Sequence, residues 1–458
     1  MSTLASDPSD PSAAPAPVAP PAAWAEGLTP AQRQVLHDEV HARPPEALSA
    51  PLAVTHWVML ADAAERAASR AHLAALLAGS GQAAPPEDAA YWRADLGEFS
   101  LRWELHTEFV AWTFMRALPP QEWRALEHGE PPSAAELAPA AWRQALQGRP
   151  LAGVQLWALP RQDADRAALL RHLLDERSLT GSSVISHGSE LYTDLQLRAD
   201  GCIRMLVLAG EPASPRRLGR LVQRLLEIET YRMAALLALP TARSAFAWLA
   251  EGEAELAALA QAVRQAARAD EPALLDRLTR LAADLEGRYA ATHMRFAASA
   301  AYHELVVKRL HDIAEARIEG MQSLRDFLER RLTPAMSTCR AADRRQAALS
   351  ERIARMSQLL RTRVEFEQQQ SSRALLAAMD RRGAMQLRLQ STVEGLSVAA
   401  ITYYLVGLIG YLVKGAQRLG WPLPTELSMA VAVPVVALAV WWSLRRLHRR
   451  IVGAAHEP

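Results

Sequence analysis

The sequence predicts an α/β (or α+β) domain followed by long α-helices with a coiled-coil-like stalk and a C-terminal two-helix transmembrane hairpin. Three observations carry this reading. Strand-like and helix-like segments interleave up to about residue 213, strand patterns cease after Pro215, and two charge-free apolar runs lie near the carboxyl end. With 458 residues, 50% hydrophobic and 22% charged, the chain must bury more than a small core. A formal charge of +1 removes the electrostatic footprint of a nucleic-acid binder. Cys202 and Cys339 are far apart and in no C-x-x-C pair, which excludes a disulfide framework and a cysteine zinc site and fits a reducing cytoplasm.

Residues 1–23 hold six prolines among Ala and Ser, without the basic-then-apolar order of a secretory signal, and read as a disordered tail. The α/β domain is expected over 24–213. Pro51–Leu60 is β-branched and apolar, a strand, and Ala61–Ala78 is an Ala-rich helix ended by Gly79-Ser-Gly81. Gly97–Phe114 alternates polar and apolar residues and supplies one long or two paired strands. Val154–Leu159, Ser182–His187, Leu191–Leu197 and Cys202–Leu208 are further strands, with a turn at Arg198-Ala-Asp-Gly201 between the last two.

Residues 214–332 are read as helical, with Leu218, Leu221, Val222, Leu225, Leu226 and Ile228 at helical spacing and a break near Leu239-Pro240. Residues 333–394 form a stalk helix beginning near Pro334. Its positions Leu349, Ile353, Met356, Leu360 and Val364 follow coiled-coil spacing, open to an intermolecular coil or an intramolecular hairpin. The hairpin occupies 395–444. Residues 395–413 and 427–444 carry no charge, and 19 residues at about 1.5 Å each approach the roughly 30 Å of a bilayer core. Arg381, Arg382 and Arg388 before the first run, and Arg445, Arg446, Arg449 and Arg450 in the basic tail 445–458, outnumber Lys414 and Arg418 between them. The positive-inside rule then places both termini in the cytoplasm and the protein in the bacterial inner membrane.

Glu39-Val-His-Ala-Arg-Pro44, Trp103-Glu-Leu-His-Thr-Glu-Phe109, Gly219-Arg-Leu-Val-Gln-Arg-Leu-Leu-Glu-Ile-Glu-Thr-Tyr-Arg232 and Thr392-Val-Glu-Gly-Leu-Ser397 with Tyr403-Tyr404 resemble segments of domain-of-unknown-function family 3422. That resemblance implies a membrane-anchored bacterial protein and imports no reaction. In architecture alone the plan is similar to CorA-type magnesium transporters, which carry a Gly-Met-Asn signature at the end of the first span. Here the corresponding stretch is Gly410-Tyr-Leu-Val-Lys414, whose lysine would repel a divalent cation.

Several polar groups are candidate site residues. His37 and His41 are spaced like zinc ligands, but Asp38 replaces the zincin glutamate and Arg43-Pro-Pro45 ends the helix. Glu39, His41 and Arg43 therefore read as either a ligand site or a hydrogen-bonded anchor of the N-terminal segment. Strand periodicity sends Glu104, His106 and Glu108 to one face, either solvated or shared as a ligand site. Arg220, Arg224, Glu227 and Tyr231 line one helical stripe suited to a partner contact or a salt-bridge ladder. Glu394, Gly395, Tyr403 and Tyr404 mark where the chain meets the membrane, with Gly395 either at an inner mouth or at a close helix approach.

No phosphate loop, dinucleotide fingerprint or nucleophile elbow is present, the sequence requires no cofactor, and no metal site is assigned. The function expected is a non-enzymatic, oligomeric, cytoplasm-facing sensing or scaffolding protein. Its partners are the lipid bilayer and copies of itself, joined through stalk and transmembrane helices. The alternatives are a divergent CorA-like ion conduit and a membrane-tethered metalloenzyme using His41, His106 and nearby acids.

Overall fold

The computed structural model describes residues 28–41, 44–129, 133–184, 188–211, 214–265, 270–418 and 424–454. The tail assigned to residues 1–23 and Arg43 lie outside these. The chain divides into two compact units. One contains residues 1–261 and 278–354; the other contains 262–277 and 355–458.

In the first unit a nine-stranded mixed sheet has the order β2-β3-β4-β1-β5-β8-β7-β6-β9. The strands are β1 Leu52–Leu60, β2 Tyr91–Asp95, β3 Ser100–Leu105, β4 Phe109–Ala117, β5 Arg149–Pro160, β6 Thr180–Val184, β7 Ser189–Thr193, β8 Ile203–Ala209 and β9 Glu315–Arg317. All neighbours run antiparallel except β5 and β8, which pair in parallel from Val154↔Ile203 to Pro160↔Ala209. The alternating stretch over 97–114 is thus two paired strands, folded back at His106-Thr-Glu108. β9 lies within the stretch expected to be wholly helical. Three residues are too few for a period-two pattern, and pairing with β6 holds them extended.

α1 is Pro30–His41. α2, Ala63–Gly79, starts at an Asp62/Glu65 capping box, with each side chain satisfying the other residue's backbone N–H. The short helices α3 (Pro120–Ala125), α4 (Ala140–Gln144) and α5 (Arg166–Leu173) follow. α2, α3 and α5 send Leu73, Leu77, Trp123 and Leu169 into a core with Trp103, Trp112, Phe114 and Trp157 of the sheet. On the opposite face α6, Pro215–Leu236, packs Ala234 against Val58, Phe109 and Ala111. Both faces are covered, so the central strands β1, β4 and β8 are buried along nearly their whole length, while edge strands β2 and β9 stay partly exposed. α7, Ala238–Gln265, and α8, Glu271–Ile313, continue the chain.

α9 runs unbroken from Leu324 to Arg418, passing Pro334 in its third turn, so that proline lies inside the helix and does not start it. Leu349 and Ile353 of the coiled-coil-like spacing are buried, and Leu349 lies against α7 at Gly252. That stretch therefore packs within the chain. In the second unit α9 pairs with α10, Thr425–Ala454. Ile401 and Leu405 share a groove with Val436, Ala439, Val440 and Ser443, and Gly410 meets Met429, so the two helices are antiparallel.

Candidate functional site

Strand register assembles a polar row under α6. His56 of β1 is paired with Thr113 of β4, Thr113 with Arg102 of β3, and Arg102 with Arg93 of edge strand β2. Period-two geometry sends all four to the face opposite the tryptophan core. Over this row and the neighbouring Glu104 lies a cleft of about 210 Å³. It is lined by His56, Arg102, Glu104 and His106 from the sheet side, Glu227, Thr230 and Tyr231 from α6, and Arg309 from α8.

The floor is buried charge. Arg102 and Glu104 are 5% and 7% exposed, so the solvated alternative does not hold at Glu104, whereas His106 and Glu108 lie beyond the end of β3 in the turn and are half-buried. The Arg102 Nε lies 3.1 Å from Glu104 Oε2, and its Nη1 lies 3.7 Å from Glu46 Oε1. Glu46 also meets Arg93 Nε at 2.9 Å. Glu46 is delivered by the extended segment after Pro44. The Leu48 N–H donates to the Pro215 carbonyl at 3.0 Å, and the Glu46 backbone carbonyl rests where a Cβ of Gly219 would stand. Only glycine at 219 permits that approach.

His56 stands at the inner end. Its Nδ1 is 2.8 Å from Thr113 Oγ1 and its Nε2 is 3.1 Å from Thr230 Oγ1. The single Thr230 hydroxyl proton is donated to the Leu226 carbonyl at 2.9 Å, so Thr230 accepts from Nε2–H and Nδ1 accepts from Thr113. This is the neutral Nε2–H tautomer. Complete burial, with Arg102 and His106 nearby, pushes its pKa down to about 3.

The rim is a set of ion pairs. Arg309 pairs with Glu227 and reaches Asp312 Oδ2 at 3.4 Å, Gln223 Nε2 donates to Glu227 Oε1 at 3.0 Å, and Arg224 Nη1 donates to the Asp312 carbonyl at 2.8 Å. Tyr231 stacks on Tyr302 of α8 with ring centroids 5.9 Å apart. Glu108, in the β3–β4 turn, pairs with Arg295 and accepts from the Tyr302 hydroxyl at 3.0 Å. Burial and that carboxylate push the Tyr302 phenol up.

The cleft brings together Glu104, His106, Glu227 and Tyr231. Glu108 serves the adjoining α8 contact, Arg224 braces the rim and Arg220 is exposed. Glu39 and His41 lie on α1 with their side chains outside the described structure, as Arg43 is altogether. Sequence reasoning missed Glu46, His56, Arg102, Thr230 and Arg309. Only His56 left a signal, a histidine inside an otherwise apolar strand. Among the described residues no group of three His, Cys, Asp or Glu side chains is placed to hold a metal ion.

The second unit carries apolar surface on the outside. Leu396, Leu412, Leu427 and Leu438 are 75%, 67%, 69% and 63% exposed. Among the described residues, three helical stretches are by length and composition apolar enough to cross a membrane: 215–265, 324–416 and 426–443. The first packs on the sheet through α6. Tyr403 and Tyr404 are exposed and meet edge to face at 5.8 Å. Gly395 has open space where its Cβ would stand, whereas a Cβ on Gly410 would lie 3.1 Å from Met429 Sδ. Gly410, rather than Gly395, marks a close helix approach. The Thr402 hydroxyl donates to the Val398 carbonyl of its own helix at 2.7 Å.

No curated protein and no solved structure matches the chain, and the architectural similarity to CorA-type transporters receives no support. Residues 29–451 match the family described as "Protein of unknown function (DUF3422)", a match that runs from α1 into α10 and includes every residue of the cleft. The chain belongs to that family.

Proposed function

We propose that this is a membrane-anchored sensing protein of the bacterial inner membrane, tethered by the α9–α10 hairpin, with its α/β unit facing the cytoplasm and its cleft receiving a small polar solute. The observation that carries the anchor is the exposed apolar surface on residues 395–413 and 427–444. Charge-free helices of 19 and 18 residues match a bilayer core, and so large an apolar surface is costly in water. The arginine asymmetry supports cytoplasmic termini.

Sensing is favoured for the cleft because its charges are mutually neutralised and its buried histidine is held neutral. A general acid or base would need a pKa near the working pH. A cavity of about 210 Å³ admits a small solute, and convergent polar groups supply its hydrogen-bond partners.

Self-association through the stalk belongs to the same proposal. Leu375, Met379, Leu389 and Val393 are exposed on α9 ahead of the hairpin and supply apolar contact area, while Leu349 and Ile353 are already buried within the chain.

The test is fractionation of the full chain. It is expected to stay in the membrane pellet through an alkaline carbonate wash and to be released by detergent; recovery in the aqueous fraction without detergent overturns the anchor. A thermal-shift screen of small organic acids, amino acids and polyols on the detergent-purified chain is expected to give a stabilising hit that Arg102→Gln abolishes.

A further inference from the structure

The antiparallel α9–α10 pairing gathers charge at one end of the apolar hairpin. Val440 and Ser443 share a groove with Ile401, and Met429 meets Gly410, so positions 445 and 446 on α10 fall level with the start of the 395–413 run on α9. At this end Arg381, Arg382 and Arg388 on α9 join four arginines over 445–450, against two carboxylates, Asp380 and Glu394. The opposite end, residues 414–426, offers Lys414 and Arg418 against Glu426.

Two of these arginines are placed on aromatic rings. The Arg445 guanidinium lies 4.8 Å from the Trp441 ring centroid and that of Arg446 lies 5.1 Å from Trp442, and all four side chains are exposed or half-exposed. Stacking costs a guanidinium none of its N–H donors, and it holds the planar fork beside rings that favour the headgroup layer.

We infer that this end of the hairpin is a binding collar for anionic phospholipid, with Arg445 and Arg446 as paired phosphate-binding groups over Trp441 and Trp442. The inference rests on the membrane-anchor reading above. Guanidinium and phosphodiester match as bidentate partners, and a zwitterionic headgroup repays the same contact less because its own ammonium competes. Each basic residue near an anionic surface contributes roughly 1 kcal/mol, a factor of about five, so the pair should set a readily measured lipid preference.

The experiment uses the full chain reconstituted from detergent into bilayers containing either brominated phosphatidylglycerol or brominated phosphatidylcholine, with quenching of tryptophan fluorescence read against the brominated fraction. Trp421 falls between the spans at the opposite end, so the chain carries Trp421→Phe throughout, and quenching at Trp441 and Trp442 then reports lipid composition at the collar. Phosphatidylglycerol is expected to be preferred several-fold, with the preference lost in Arg445→Gln/Arg446→Gln, weakened by salt, and kept in Lys414→Gln at the other end. Equal quenching by the two lipids, or a preference unchanged in the double variant, overturns the collar while leaving the anchor intact. No quenching by either lipid, with no flotation of the chain with the vesicles, overturns the anchor and the collar together.

Discussion

His56 on β1 and Thr230 on α6 meet with Nε2 3.1 Å from Oγ1, joining sheet and helix through a neutral imidazole that also engages Thr113. An unfolded histidine titrates near 6.5, and this one is held at about 3. A lowered folded pKa means that the unfolded chain binds the proton first. The contribution of His56 is therefore complete above about pH 6.5 and declines by roughly 1.4 kcal/mol per pH unit on acidification towards 3. Nitrogen NMR of the imidazole should show the Nε2–H tautomer at pH 5, and His56→Ala should cost about 3 kcal/mol in denaturant unfolding.

Glu46 holds the other end of the polar row. Its removal leaves the Arg102 guanidinium buried with Glu104 alone, and Glu46→Ala should cost about 3 kcal/mol. Arg93 is half exposed, so Arg93→Ala should cost less than about 1 kcal/mol. Equal losses in the two variants, measured by unfolding of the full chain, would contradict this ranking.

Gly219→Ala tests the close approach of the segment carrying Glu46 to α6. Alanine is the better helix former by about 1 kcal/mol, yet its Cβ would occupy the place of the Glu46 carbonyl oxygen. A net loss of about 2 kcal/mol is expected, with faster amide exchange at Leu48 as its hydrogen bond to Pro215 loosens. A stabilised variant would show that the approach is dispensable.

A reporter fused after Pro458 should be active only as a cytoplasmic fusion, and one inserted between Arg418 and Thr425 only as a periplasmic one. The opposite pattern would invert the topology drawn from the arginines.

What the sequence made legible depended on how many residues carried each pattern. β1 and β8 were plain because runs of four and five consecutive apolar residues, Trp57–Leu60 and Met205–Ala209, announce a buried strand. The β3–β4 hairpin was half visible: the alternation showed, but His106-Thr-Glu108 lacks the glycine or asparagine that marks a tight turn. Edge strand β2 carries Arg93 and Asp95 among five residues, too polar to stand out. The site was harder. Glu104, His106, Glu227 and Tyr231 were found because each sits in a regular pattern, and Glu46 and Arg309 were not because long-range register and loop placement alone make them partners. Buried Glu104 goes against the solvated alternative for the same reason: alternating polarity usually means water on one side, and here α6 covers that side.

The parallel ladder of β5 against β8 has a consequence for assembly. Among the described residues it joins a five-strand antiparallel block, β2-β3-β4-β1-β5, to a four-strand one, β8-β7-β6-β9. Each block can zip up through its own antiparallel neighbours, but the stitch between them closes only when both are in register. Gly153 beside the Gly201 carbonyl and Cys202 sulfur sets the tightest point of that closure. Only the backbone amides of β5 and β8 that bond across this ladder should then be the last to gain protection during refolding, while the amides of β5 that face β1 are protected earlier.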